Sequence, residues 1–147
     1  MVQTATCFYA VEQYEMLARV PSEPYVMVVD DDASILSVVT FLLDTENLPH
    51  MSFSDSANVI PFLEKIYVLG IRLPSLLLLD LMMPALSGYE IAASLAQSTQ
   101  LSNIPILIMT ADHRVKEVRS VPGAHDLINK PFHIDVLLDK IEHFLAQ

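Results

Sequence analysis

Five residues have the types and placement to handle phosphate: Asp30, Asp31, Asp80, Thr110 and Lys130. Each stands at the carboxyl end of a short predicted strand. Asp30 and Asp31 follow Tyr25 to Val29, Asp80 follows four leucines at 76–79, and Thr110 follows Ile104 to Met109. Lys130 follows Asp126 to Asn129. In open parallel sheets the crevice that binds ligands lies at the carboxyl ends of the strands. With strand order 2-1-3-4-5 these ends lie side by side, acids first and lysine last. Carboxylates crowded there repel one another and resist ionising unless a cation joins them. Magnesium suits such a set, because it prefers oxygen ligands and takes one or two carboxylates plus a phosphate. A phosphate then sits between that cation and the Lys130 ammonium, with the Thr110 hydroxyl in reach of a phosphoryl oxygen. Asp80 is central enough to be the nucleophile, since carboxylates form aspartyl phosphates. Such transfer rests on positioning and charge neutralisation and needs no His or Ser base. Taken alone, Asp80 is equally an acid that ends a strand and opens a turn.

The elements that must position these residues alternate. Four consecutive leucines are the pattern of a strand buried on both faces. Similar runs predict strands at Tyr25 to Val29, near His50 to Phe53, at Ile104 to Met109 and at Asp126 to Asn129. Between them, helical spacing predicts a helix over Ala33 to Leu43 and another from about Ala57 to Leu69, capped by Ser54 or Ser56 with Pro61 in its first turn or so. A third runs from Gly88 to Ala96, and a short helical piece from Asp112 to Ser120 stops at Pro122 and Gly123. The last spans Ile134 to Phe144, with Ile134, Leu137, Leu138, Ile141 and Leu145 facing inward. Five alternations call for an α/β fold: a doubly wound, five-stranded parallel sheet with right-handed crossovers and helices on both faces. Residues 1–24 form an N-terminal extension, and 25–147 form the single domain. Within the extension, Cys7, Val11, Tyr14 and Leu17 recur at helical spacing, and Pro21 and Pro24 close the segment. This predicts a short amphipathic helix, either packed on the domain or serving dimerisation or docking.

Composition excludes several classes of function. The chain has 147 residues, is 52% hydrophobic and carries a formal charge of −10. It is neither disordered nor suited to phosphate backbones, since its eight Lys and Arg leave no basic surface for nucleic acid. The single cysteine, Cys7, removes an internal disulfide and a thiolate zinc site, and fits a cytoplasmic setting. No apolar run approaches the ~20 residues that span a bilayer, and Glu12 and Glu15 interrupt any signal-peptide pattern. The histidines are scattered, and no Gly-rich phosphate loop is present.

The chain resembles a response-regulator receiver domain of two-component signalling, of flavodoxin-like fold. The matching pieces are Val28-Val29-Asp30-Asp31-Asp32, Asp80-Leu81-Met82-Met83-Pro84 with Gly88, Thr110-Ala111, and Lys130-Pro131-Phe132. The resemblance covers Tyr25 to Phe144. It implies that Asp80 takes a phosphoryl group from a histidine kinase or phosphotransfer protein. Asp31 and Asp80 would ligate Mg directly, Asp30 through water, and Met82 through its backbone carbonyl. Lys130 would pair with Asp80 and then with the phosphoryl group, Thr110 would move to meet that group, and the Lys130–Pro131 peptide would be cis. The implied protein is a phosphoprotein that charges itself from a donor and discharges slowly, not an enzyme with a separate substrate.

Three departures shape the expected output. Leu127 occupies the position where the family often carries an aromatic switch residue. Only nineteen residues separate Thr110 from Lys130, and Val121-Pro122-Gly123 cuts the fourth helix short. Met82, two residues beyond Asp80, cannot orient an attacking water, so a phosphoryl group of moderate to long lifetime is expected. It also lacks the acid that a magnesium-dependent phosphatase would need there. Arg114, Lys116 and Arg119 cluster in the shortened segment, either as a solvated face or as a site for an acidic partner. With nothing after Gln147, the signal is expected to leave through contacts with a downstream protein. The alternative is a receiver-like binding module that works without phosphorylation.

Overall fold

Four helices cover the two faces of one parallel sheet in the computed structural model, which describes residues 14–147. The strands are β1 (Val26–Val29), β2 (His50–Phe53), β3 (Leu76–Asp80), β4 (Ile106–Thr110) and β5 (Asp126–Asn129), in the order β2-β1-β3-β4-β5. The helices are α1 (Ala33–Thr45), α2 (Val59–Val68), α3 (Gly88–Gln97) and α4 (Ile134–Leu145). This is the expected doubly wound, flavodoxin-like sheet. Side chains alternate across a strand, so the leucine run splits between two cores. Leu77 and Leu79 join Met27, Val29, Ile106 and Ile108 under α2 and α3, whereas Leu76 and Leu78 join Val26, Val28, Leu107 and Met109 under α1 and α4. All four leucines are fully buried, which is why no polar position interrupts the run. Among the described residues no helix is long and apolar enough to cross a membrane.

Several local expectations are corrected. The helix that includes α2 is opened by Asp55, whose carboxylate accepts the Ala57 N–H at 3.0 Å as a 3₁₀ turn (Ser56–Asn58) begins. Neither Ser54 nor Ser56 caps it, because the Ser56 hydroxyl is engaged elsewhere. Residues 112–120 do not form a helix but an irregular connector with one 3₁₀ turn, Val118–Ser120. Glu117 is extended (φ −128°, ψ 140°), which breaks any helical run between Asp112 and Val118. Val115 and Val121 still reach the core from this connector. Ile134 lies on the inward stripe of α4 but is 50% exposed, because it opens the helix one turn ahead of the buried Leu137.

Residues 14–18 are helical, and Met16, Leu17 and Val20 pack against the core. That stripe leaves Tyr14 roughly a third of a turn away, and it is 76% exposed, so Tyr14 and Leu17, grouped by their spacing, do not share the buried face. The Cys7 and Val11 part of the expected helix lies outside the described residues.

Candidate functional site

Strand register brings the predicted residues to one edge. Val29 pairs with Leu79 and Asp80 with Met109, while Thr110 pairs with Asn129. The residues immediately after β1 and β5 therefore stand beside the ends of β3 and β4. Asp30 is fully buried: its Oδ1 accepts the Asp32 N–H at 2.9 Å and its Oδ2 accepts from Lys130 Nζ at 2.6 Å. Asp80 is 6% exposed, with Oδ1 3.5 Å from Lys130 Nζ and 3.5 Å from the Met82 amide nitrogen. Asp31 is exposed at the rim, and one carboxylate oxygen from each of Asp30, Asp31 and Asp80 lies within 4.8 Å of the others. Thr110 is fully buried; its Oγ1 accepts the Asp112 N–H at 3.0 Å and its carbonyl accepts the Lys130 N–H at 2.7 Å. The Lys130–Pro131 peptide is cis. The side chains of Asp30, Asp31, Asp80 and Lys130 and the Met82 backbone thus converge on one crevice, and Thr110 is tied to it through its backbone bond to Lys130.

Three carboxylates face one ammonium, so two negative charges lack a partner of opposite sign. An all-oxygen donor set with that excess fits a hard divalent cation such as Mg. Burial pushes the Asp80 carboxyl up to about 6, and the neighbouring Asp30 charge pushes the same way. Lys130 and the Met82 N–H pull it back, and Asp31 adds a smaller upward push. An unfolded chain releases this proton near ~4. The folded state therefore binds the proton more tightly, and its stability falls as pH rises from about 4 through about 6. Asp80→Asn, which carries no charge, is expected to melt several degrees above the parent near pH 7 in chelator, by on the order of 1–2 kcal/mol, and level with it near pH 4. Thermal melts at the two pH values check this; equal melting near pH 7 would contradict it.

Ser56 is a positioning residue that sequence reasoning missed. It is 2% exposed; its hydroxyl donates to the Pro84 carbonyl at 2.9 Å and accepts the Leu86 N–H at 3.1 Å. This clamp brackets Ala85, which holds a left-handed backbone (φ 66°) in the loop following Asp80. A serine ahead of a helix signals a cap, and nothing in its sequence neighbourhood points 28 residues onward to that loop. The connector's basic cluster is partly neutralised: Arg114 pairs with Asp112 and Arg119 with Glu117. Leu127 is half-buried and packs with the α2–α3 core.

The sequence pattern of the response regulator receiver domain matches residues 26–142. The sensory transduction protein BceR of Halalkalibacterium halodurans is 32% identical over 124 residues, 83% of this chain and 50% of the relative. The DNA-binding dual master transcriptional regulator RpaA of Synechocystis is 27% identical over 127 residues, 84% of this chain and 50% of the relative. The chain spans about half the length of these relatives. A solved response regulator receiver protein from Burkholderia phymatum superposes with a TM-score of 0.69 at 26% identity, covering 84% of this chain and 96% of that one. The match extends from β1 into α4 and takes in all four strand ends that form the crevice, so the chain belongs to the receiver domain family of two-component response regulators.

Proposed function

We propose that this chain is a phosphoacceptor signalling module in which Asp80 takes a phosphoryl group from the phosphohistidine of a histidine kinase or phosphotransfer protein. The observation that carries the reading is the setting of Asp80: nearly buried, beside two further acids, with Lys130 Nζ 3.5 Å away. An Asp80 carboxylate oxygen attacks phosphorus; the new O–P bond forms as the N–P bond breaks, and its electron pair returns to the donor imidazole. Asp30, Asp31, Asp80 and the Met82 carbonyl would hold Mg. When bound, Mg supplies charge neutralisation at the phosphoryl oxygens. Lys130 exchanges part of its pairing with Asp30 and Asp80 for a phosphoryl oxygen, and the Thr110 hydroxyl donates to another. The outcome is a shift of population towards a conformation that a downstream protein prefers.

No side chain at Met82 can hydrogen-bond an attacking water, so the phosphoryl group persists for minutes or longer. A half-life of seconds without a phosphatase would count against this. The principal test is incubation with Mg and acetyl phosphate, read by intact mass. Gain of one phosphoryl group by the parent and not by Asp80→Asn is the expected result; no gain would sink the reading. The half-buried Leu127 and the absence of a helix between β4 and β5 favour a second reading, a binding module indifferent to phosphate. Partner binding unchanged by Asp80→Asn would select it.

A further inference from the structure

Thr110 has to turn its hydroxyl towards a phosphoryl group on Asp80, and the structure shows what holds that hydroxyl beforehand. Thr110 Oγ1 accepts the Asp112 N–H at 3.0 Å. Asp112 is held in turn by a closed local system. Its Oδ1 accepts the Arg114 backbone N–H at 3.0 Å and Arg114 Nε at 2.9 Å, and its Oδ2 accepts Arg114 Nη2 at 2.9 Å. The Asp112 carbonyl accepts the Val115 N–H at 3.1 Å, and Val115 is buried in the α2–α3 core. A two-pronged guanidinium–carboxylate contact has defined geometry as well as charge, so it fixes the turn and not merely the side chains. The Asp112 carboxyl is held down to about 2, chiefly by its hydrogen bonds from Arg114, so the contact stays charged throughout the neutral range.

We infer that Asp112 and Arg114 are positioning residues for Thr110: their fork latches the Asp112 N–H onto Thr110 Oγ1 and so sets how readily Thr110 turns to a phosphoryl group. This rests on the phosphoacceptor reading and extends it. The latch stabilises the unphosphorylated state. It contributes nothing once Thr110 has turned, since a hydroxyl whose Oγ1 has moved away no longer accepts from Asp112. An interaction lost between ground state and transition state slows the step that loses it. The same movement frees the turn that ends in Val115. The connector between β4 and β5 is then the segment that reports phosphorylation, in a chain whose fifth strand carries Leu127 where an aromatic residue would report it.

The experiment is the rate of phosphorylation by acetyl phosphate with saturating Mg, followed by intact mass on the full chain. Arg114→Ala is expected to react about two- to tenfold faster than the parent, the factor that one net hydrogen bond is worth. The sign is diagnostic, because loss of a cation that merely attracted the anionic donor would slow the reaction. Lys116→Ala, a nearby cation outside the fork, is expected to leave the rate unchanged.

The latch acts only through the Thr110 hydroxyl. In a Thr110→Val background, or Thr110→Ala if the valine protein does not fold, Arg114→Ala is therefore expected to change nothing further. The same acceleration with and without the hydroxyl, equal rates in parent and Arg114→Ala, or a slower Arg114→Ala would overturn the latch while leaving the phosphoacceptor reading intact. A parent chain that gains no phosphoryl group would instead overturn the reading beneath it.

Discussion

Gly88→Ala is expected to melt about 10 °C below the parent, a loss of about 3 kcal/mol. The cause is steric and not conformational. A Cβ on Gly88 would lie 2.2 Å from the Asp80 carbonyl oxygen and 2.7 Å from Leu81 Cα, both backbone atoms that no rotamer change can move. The first turn of α3 is drawn this close because the Gly88 N–H donates to the Leu81 carbonyl at 2.9 Å, while Ser87 and Glu90 close a capping box over the same turn. Relief of the clash must push α3 away or shift the end of β3, and Asp80 is part of that end. The substitution should therefore also slow phosphorylation by acetyl phosphate, since the carboxylate leaves its place beside Asp30 and Lys130. Gly70→Ala is the informative control: Gly70 has φ +70° but nothing within 4 Å of the added Cβ. It should cost about 1 kcal/mol through backbone strain alone and leave the reaction untouched. Thermal melts of both variants, with Gly88→Ala no less stable than Gly70→Ala, would remove the steric account.

The residues that carry the crevice were legible because topology leaves a one-dimensional trace. A parallel strand buried on both faces must be apolar along its length, so the first polar residue marks where it leaves the core. At Asp30, Asp80 and Thr110 that residue is also the functional one, and Lys130 directly follows the edge strand β5. Strand order then follows from a small menu of doubly wound sheets, and burial of all four leucines under opposite helix layers agrees with it. What escaped depends on contacts across long separations. Ser56 is chemically an ordinary cap, and only folding brings Pro84 and Leu86 to its hydroxyl. The connector after Thr110 has residues compatible with a helix, but Glu117 is extended and Val115 and Val121 are each anchored in the core. Periodicity placed Ile134 inward. It records which stripe a residue occupies but not where along the helix the neighbouring sheet begins.

Lys130→Met should produce a large loss of stability that depends on magnesium. Lys130 Nζ lies 2.6 Å from Asp30 Oδ2 and 3.5 Å from Asp80 Oδ1; its side chain is 14% exposed and that of Asp30 fully buried. Methionine preserves most of the aliphatic length, so packing changes little while two neighbouring buried carboxylates lose their cation. Removing one partner of a buried pair costs about 3–5 kcal/mol, so the variant should melt roughly 10 °C or more below the parent in chelator near pH 7. Two responses separate this account from simple misfolding. Saturating Mg should recover most of the deficit, because a divalent ion among the same oxygens restores the charge balance that Lys130 supplied, and binding to the folded state alone stabilises it. Acid should recover it as well. Lys130 holds the Asp80 carboxyl down, so without it the proton binds still more tightly to the folded state, and stability rises as pH is lowered from neutral. Recovery by Mg would restore the fold without restoring the reaction, because the phosphoryl oxygens still lack the ammonium. Melts with and without Mg, set beside acetyl phosphate labelling of the same samples, read both effects. A variant equally unstable in Mg and in chelator would show that Lys130 supports the fold through packing and not through charge.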